Sequence, residues 1–590
     1  MNHQKSIAVL PFVNMSSDID NEYFCDGITE EIINALTKVK GLKVIARTSS
    51  FAFKGKDIDI REIGKQLSVY TILEGSIKKS QNKVRITAQL INVSNGVHYW
   101  SKKYDKDLVN IFDLEDEISL AIADEVRNNF GHFEVQDHLI KQPTNNIDAY
   151  QLFLKGRSLQ LKWTPKSIKE AITFYNKAIA LDTNYAKAYY ANLQCYGLLA
   201  MWGYMPYQEA IELAISNLLI AKEIDTSLPE YPLSFVGKFF WEEWDFKNAY
   251  IHINKVLEIN HNHIDGLEAM AELCITLGFF DVALQYANKL LDVDPLSANN
   301  HYTLAHIYYY QRQFGKALQK VNYALTLNPQ LELAHHLKCF CLIWLNKKQE
   351  FITHINNTTL IEEKNLLFNL INENEVTIPQ QIIDKWNIYN QNQTMLVPYD
   401  AFILSNSNHR DKGFSLLKEM INNRRGQVIN FRQEPLFKPL QNLNGFLDLH
   451  QSNLVLKDVK PLQIEQEESH SILLDKQQIA SLKGELLSYF EEDEPYLNPQ
   501  LTLKFVADVL GLNTNKMSYL INQAFDVNFN DFVNSYRLNH FKSIALDSKN
   551  AHLTILGLAY DSGFNSKSVF NTYFKKTEGI TPKAWLKANS

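Results

Sequence analysis

Residues 554–585 read "TILGLAYDSGFNSKSVFNTYFKKTEGITPKAW", and their spacing decides the architecture of this end of the chain. Ile555, Leu558 and Ala559 fall on one helical face, Gly563 stands where a tight turn is needed, and Ser566 is placed to cap a second helix carrying Val569, Phe570, Tyr573 and Phe574. Two short helices joined by a glycine turn make a helix-turn-helix. The same plan occurs upstream in "LTLKFVADVLGLNTNKMSYLINQAF" (501–525): Leu503, Val506, Ala507 and Leu510 form one helix, Gly511 stops it, and Asn513 or Thr514 caps a second with Met517, Leu520, Ile521 and Phe525 inward. Between the copies lies "NFNDFVNSYRLNHFKSIALD" (528–547), an amphipathic helix of about 20 residues, or about 30 Å. That length approaches the spacing of about 34 Å between successive major grooves on one face of B-DNA.

The whole chain has 590 residues, too many for one hydrophobic core, so several domains are expected. Its composition, 45% apolar and 21% charged, is that of folded protein rather than of a disordered chain. The net charge of −7 argues against polyanion binding by the chain as a whole, but charge acts domain by domain. From 495 to 590 there are ten Lys/Arg against six Asp/Glu, a local excess of four positive charges. Five scattered cysteines without a C-x-x-C pair fit a reducing compartment. The first residues lack a signal h-region and no segment is apolar enough to span a membrane, so a cytoplasmic protein without a membrane partner is expected.

Residues 6 to about 130 alternate short apolar runs with amphipathic stretches, as a mixed sheet-and-helix domain does. "SIAVLPF" and "LKVIA" read as strands around a helix with Ile28, Ile32, Ile33, Leu36 and Val39 at helical spacing. After a short helix, "REIGKQL", residues 70–101 read as a strand meander, and a helix from 114 to 130 closes the domain. Farther along, "AIALD", "AKEID", "VLEIN", "LLDVDP" and "LTLNP" place Asp182, Asp225, Asn260, Asp294 and Asn328 at intervals of 43, 35, 34 and 34. A 34-residue period of paired helices is the tetratricopeptide repeat, a solenoid that presents a face to a peptide or protein. The longer interval accommodates an aromatic insertion, "MWGYMPYQE" (201–209), which fits repeat packing and peptide contact equally.

Three resemblances follow from these residues. "SIAVLPFVNMSSDIDNEYFCDGITEEIINALTKVKGLKVIARTSSFAFKG" with "ILEGSIKKSQNKVRITAQLINVSNGVHYWSKKYD" resembles the TolB-like N-terminal domain, a module found beside adenylate cyclase domains and tetratricopeptide repeats. No paired-carboxylate pattern of a cyclase follows it. "RGQVINFRQEPLFKPLQNLNGFLDLH" (425–450) resembles the tail that ends such repeat proteins. The two-copy plan at the C-terminus, about 489–585, resembles the AraC family DNA-binding domain. That resemblance implies a groove-facing surface on the second helix of each copy: Thr514, Asn515, Lys516, Ser518, Tyr519 and Asn522 in the first, and Asn565, Ser566, Lys567, Ser568, Asn571, Thr572 and Lys575 in the second. Their chemistry suits the task, since Lys meets phosphate or guanine acceptors, Asn pairs bidentately with adenine, and Ser caps a helix beside phosphate. Family members often carry Arg where Tyr519 and Thr572 stand, which implies fewer strong guanine contacts here.

The expected fold is multidomain: an N-terminal α/β domain (1–131), a central α-solenoid of tetratricopeptide repeats (147–345), degenerate helical repeats and a cap (346–450), a linker (451–475), and a C-terminal all-α double helix-turn-helix (476–590). The expected function is sequence-specific transcriptional regulation through double-stranded DNA, with the TolB-like and repeat regions sensing a ligand or protein partner and a homodimer left open. The rival reading is an interaction scaffold with weak or vestigial DNA binding. No enzyme, cofactor or metal is expected. His261 with His263, His335 with His336, and Cys339 with Cys341 each lack a third ligand nearby in sequence, and "FKGKD" (53–57) lacks the spacing of a phosphate loop and reads as a basic turn.

Overall fold

The computed structural model describes all residues except 1–4, 19–20, 163, 202–203, 357, 374–375, 384–396, 426–427, 453, 460–472, 551 and 590. The chain divides into two compact units. One comprises Met1–Ile45, Phe53–Gln142 and Ile464–Ser590, the other Ala46–Ala52 and Pro143–Gln463.

In the first unit, β1 (Ser6–Val9), β2 (Val13–Asn14), α1 (Glu22–Thr37) and β3 (Lys43–Val44) open the α/β portion. After α2 (Arg47–Phe51), which belongs to the second unit, follow α3 (Ile60–Leu67), β4 (Thr71–Ser80), β5 (Lys83–Asn92), β6 (Val97–Asp107) and α4 (Ile111–Phe130). The sheet order is β3-β1-β4-β5-β6, with β2 also pairing β4. β1 lies parallel to β3 and β4, while β4, β5 and β6 form an antiparallel meander. All four residues of β1 are buried, as expected of a central parallel strand, whereas β6 is mostly exposed and carries Lys102, Lys103 and Lys106, the charge pattern of a protected edge. The Lys54 of "FKGKD" is held by Glu22 at 2.7 Å and Asp26 at 2.5 Å, so its charge is used on α1.

The second unit is helical. Its repeats run α5 (Ile147–Gln160), α6 (Pro165–Leu181), α7 (Ala186–Met201), α8 (Tyr207–Ile224), α9 (Glu230–Val236), α10 (Phe246–Ile259), α11 (Ile264–Leu277), α12 (Phe280–Val293), α13 (Ala298–Tyr310), α14 (Phe314–Leu327) and α15 (Glu332–Trp344). Buried alanines, among them Ala171, Ala178, Ala249, Ala283, Ala317 and Ala324, let paired helices approach closely. The periodic Asp and Asn residues explain themselves here. Asp182, Asp225, Asn260, Asp294 and Asn328 each terminate a second helix with φ between −155° and −138°. In four of them the side-chain oxygen accepts from the backbone N–H two residues on, at 2.8–3.0 Å, which closes the turn into the next repeat. Asp294 departs from this pattern and accepts instead from the Ser49 N–H of α2 at 2.9 Å, as well as from the Ser49 hydroxyl.

Beyond the repeats lie α16 (Lys348–Ile355), α17 (Ile361–Asn372), α18 (Tyr399–Ser405) and α19 (Arg410–Asn422). The tail that follows folds back over earlier helices: Asn430 accepts from Thr276 Oγ1 at 2.7 Å, and Glu434 accepts from Tyr309 Oη at 2.7 Å. One apolar core runs from Val236 to Val459. Trp202 and Gly203 of the aromatic insertion, and most of the expected linker, lie outside the described residues. Among the described residues no helix is long and apolar enough to cross a membrane, and no three His, Cys, Asp or Glu side chains gather to hold a metal. The histidines have structural partners: His263 caps α11, His335 pairs with the Pro329 carbonyl, and His336 pairs with Tyr399 Oη at 2.9 Å.

Candidate nucleic-acid interface

The C-terminal part of the first unit contains α20 (Lys476–Glu492), α21 (Leu503–Val509), α22 (Thr514–Phe525), α23 (Phe529–Ala545), α24 (Ile555–Asp561), α25 (Lys567–Glu578) and α26 (Pro582–Asn589). Each helix start from α21 to α25 has a side-chain cap. Thr502, Asn513, Asn528, Thr554 and Ser566 accept from the backbone N–H three residues on, at 2.8–3.2 Å. A cap of this kind contributes about 1 kcal/mol, and for helices as short as α21 and α24, seven residues each, it defines where they begin.

The two turns close in the same way. Gly511 (φ +64°) and Gly563 (φ +87°) take the left-handed conformation. Leu512 N–H returns to the Ala507 carbonyl at 2.9 Å and Phe564 N–H to the Ala559 carbonyl at 3.1 Å, the six-to-one bond that ends a helix on glycine. The glycines differ in surroundings. A Cβ on Gly511 would meet nothing within 4 Å, whereas one on Gly563 would lie 2.1 Å from the Tyr496 carbonyl oxygen.

α23 joins the copies. It spans 17 residues, about 25 Å, shorter than the 20 residues read from its pattern, because Asn528 is spent as the cap and the helix closes at Leu546. Its first half supplies Phe529, Phe532 and Val533 to the core of copy one, and its second half supplies Leu538 and Phe541 to the core of copy two. Arg537, buried between them, donates to the carbonyls of Tyr496 and Asn498, both at 2.8 Å, and burial pushes its pKa down to about 10. Arg537 is a structural residue that the helical spacing of 528–547 did not single out. The signal was a charged side chain amid the apolar positions of an amphipathic helix.

In copy two the candidate residues lie open. Asn565, Lys567, Ser568, Asn571, Thr572 and Lys575 are exposed, and Ser566 is half-buried by its capping bond. Among the described residues neither Lys567 nor Lys575 forms an ion pair, unlike Lys576, which meets Asp531 at 2.9 Å. Copy one is different. Thr514, Asn515, Lys516 and Asn522 are half-buried, and Ser518 and Tyr519 are buried. Superposing the caps Asn513 and Ser566 pairs 515 with 568, 518 with 571, 519 with 572 and 522 with 575, one stripe on each helix. Lys516 falls at the position of half-buried Val569, beside that stripe.

A two-copy helix-turn-helix bridged by one helix defines a class of DNA-binding domain, and comparison with known proteins agrees. Residues 506–588 match a family model described as a helix-turn-helix domain, residues 3–119 the second domain of HilA/YgeH-like transcriptional regulators, and residues 278–358 subunit 3 of the anaphase-promoting complex, or cyclosome. The chain carries an AraC-type helix-turn-helix domain and tetratricopeptide repeats. The region that resembles a TolB-like domain is the one matched by the HilA/YgeH-like model.

Among similar proteins, a putative adenylate cyclase 3 of Rhizobium meliloti is 41% identical over 186 residues, 31% of either chain. The transcriptional regulator HilA of Salmonella typhimurium is 24% identical over 180 residues, 30% of this chain and 32% of its own. This chain thus spans about a third of the length of the curated relatives it matches. Among solved structures, YrrB, a tetratricopeptide-repeat protein with an unusual peptide-binding site, is 21% identical; the match covers 32% of this chain and 92% of that one at a TM-score of 0.22.

Proposed function

We propose that this chain is a sequence-specific DNA-binding transcriptional regulator whose N-terminal and repeat regions sense a ligand or protein partner. One observation carries the reading. Two helix-turn-helix copies with the same capped starts and the same glycine closures are bridged by a single helix, and the second copy turns an exposed, basic and polar helix face to solvent. Lys567 and Lys575 suit phosphate, while Ser568, Asn571 and Thr572 suit base edges. The matches to regulator models support the same reading, and the repeats suit a protein or peptide partner.

Selection of genomic fragments by the full-length protein tests it. A discrete enriched motif is expected, bound with an affinity that falls steeply with salt as phosphate contacts release counterions. Absence of enrichment over random DNA, even at low salt, would favour the scaffold with vestigial DNA binding.

A further inference from the structure

The groove-facing stripe of α22 is already occupied, and the occupant is the chain itself. Asn515 Oδ1 accepts from Arg127 Nη1 at 2.5 Å and from the Val135 N–H at 3.1 Å, while Asn515 Nδ2 donates to the Val135 carbonyl at 3.0 Å. One turn on, Tyr519 packs edge-to-face on His132, with ring centroids 5.5 Å apart. A further turn on, Asn522 Nδ2 lies 3.7 Å from where a Cβ on Gly131 would stand. Residues 515, 519 and 522 form one helical face, and each meets a consecutive piece of α4 or of the segment 131–135 that follows it.

The attachment is built rather than incidental. Arg127 is 1% exposed and is itself held by Asp124 at 2.5 Å. The backbone of 131–135 is also anchored by Lys5 Nζ, which donates to the His132 carbonyl at 2.7 Å. At the start of α23, Asn528 Nδ2 donates to the Asn129 carbonyl at 2.9 Å, so the residue that caps the bridging helix also grips the end of α4. Asp124 further attracts Lys504 of α21.

We propose that α4 and residues 131–135 are an intramolecular latch that masks the first recognition helix, so that copy one engages DNA only after the latch separates. The inference rests on the DNA-binding reading above. Its physical basis is competition for the same atoms. The Asn515 carboxamide cannot pair with the Val135 backbone and with a base edge at once, because recognition of adenine uses the same oxygen and the same N–H. Tyr519 likewise cannot face a groove while the His132 ring packs on it, and Asn522 lies beside Gly131. In the latched state DNA meets copy two alone and loses the gain of tethering two readers on one chain. A signal that moves α4 away from α22 would restore it.

The test uses the full-length protein and a two-half-site DNA selected with the His132→Ala variant, in which the latch is weakened. Wild type is compared with Arg127→Met, which removes the charged donor to Asn515, and with His132→Ala, which removes the ring over Tyr519. Equilibrium binding and the length of the footprint are read for each, with cooperative unfolding as the check of folding. The latch predicts that wild type protects one half-site, and that each variant protects both and binds on the order of tenfold tighter, the effect of losing one charge-assisted hydrogen bond or a buried ring contact in the closed state. Equal affinities with both half-sites already protected by wild type would overturn the latch and leave the regulator reading standing. If wild type and both variants fail to bind any DNA at low salt, the regulator reading falls and the latch with it. Should Arg127→Met fail to fold, His132→Ala decides alone.

Discussion

The two recognition helices are near copies in construction and opposites in exposure. α22 and α25 each span 12 residues, start on a side-chain cap and follow a glycine that ends the preceding helix. Yet Asn515, Ser518, Tyr519 and Asn522 are covered to varying degrees, while their counterparts Ser568, Asn571, Thr572 and Lys575 are all exposed. Local sequence built the same device twice, and neighbours from elsewhere in the chain made the copies unequal. A duplicated motif therefore does not imply duplicated availability.

The difference extends to the turns, where the largest effect is expected. Gly563→Ala drives a Cβ into the Tyr496 carbonyl at 2.1 Å and into Leu497, in backbone that disfavours any side chain, and copy two should lose its fold and its DNA binding together. Gly511→Ala meets no neighbour and should cost only about 1 kcal/mol of conformational strain. Denaturant unfolding of both variants checks this, and equal losses would mean that the two turns are equivalent after all. Arg537→Met comes next. It strands the carbonyls of Tyr496 and Asn498 beneath α23, and a loss of about 2–4 kcal/mol is expected by the same measurement.

DNA titrations probe the helices themselves. Lys567→Ala and Lys575→Ala should each weaken binding to every sequence and lower the salt slope by about one, as loss of a phosphate contact does. Asn571→Ala should weaken binding to the selected site, whereas Asn515→Ala, which removes the bonds to Arg127 and Val135 together with a side chain that the latch keeps from DNA, should not weaken it. Equal weakening by those two asparagine variants would place both helices on DNA from the outset and break the contrast drawn above.

The smallest effect concerns pH. Glu125, on α4, is pushed up to about 7 by burial, with Asp124 adding to the rise and a hydrogen bond from Asn129 opposing it. Because its folded pKa lies above the unfolded value, its contribution to stability is fully present below about pH 4 and is lost as the pH rises towards 7. Amide exchange of residues 515–522 should accordingly quicken between pH 5 and 7 after correction for intrinsic rates, and Glu125→Gln should flatten that trend. An unchanged trend in the variant would detach α4's titration from the cover over α22.

Much of the fold was legible because its determinants are local. The caps Asn513 and Ser566, the stop at Gly511, the turn at Gly563 and the apolar spacing of both helix pairs act within a few residues. The Asp and Asn residues that end each repeat are likewise short-range devices, since four of them bond a backbone N–H two positions away. The bridging helix is three residues shorter than its pattern because a capping Asn and a closing turn share the polar and apolar alternation of the helix they bound. The diversion of Asp294 to Ser49 left no trace in the pattern, as its partner is 245 positions away.

By itself, then, the sequence determined the kinds of element and their order: a sheet-and-helix domain, a periodic run of paired helices, and two helix-turn-helix copies on one bridging helix. Capping, glycine conformation and hydrophobic periodicity are written in neighbouring residues, so they can be read there. Only the tertiary structure decided which of the two recognition helices is open. The contact between Arg127 and Asn515 joins residues 388 positions apart, and the pairing of Asn515 with Val135 uses backbone groups that every residue carries. Such contacts depend on where two surfaces meet rather than on what either stretch spells, and no local pattern announces them.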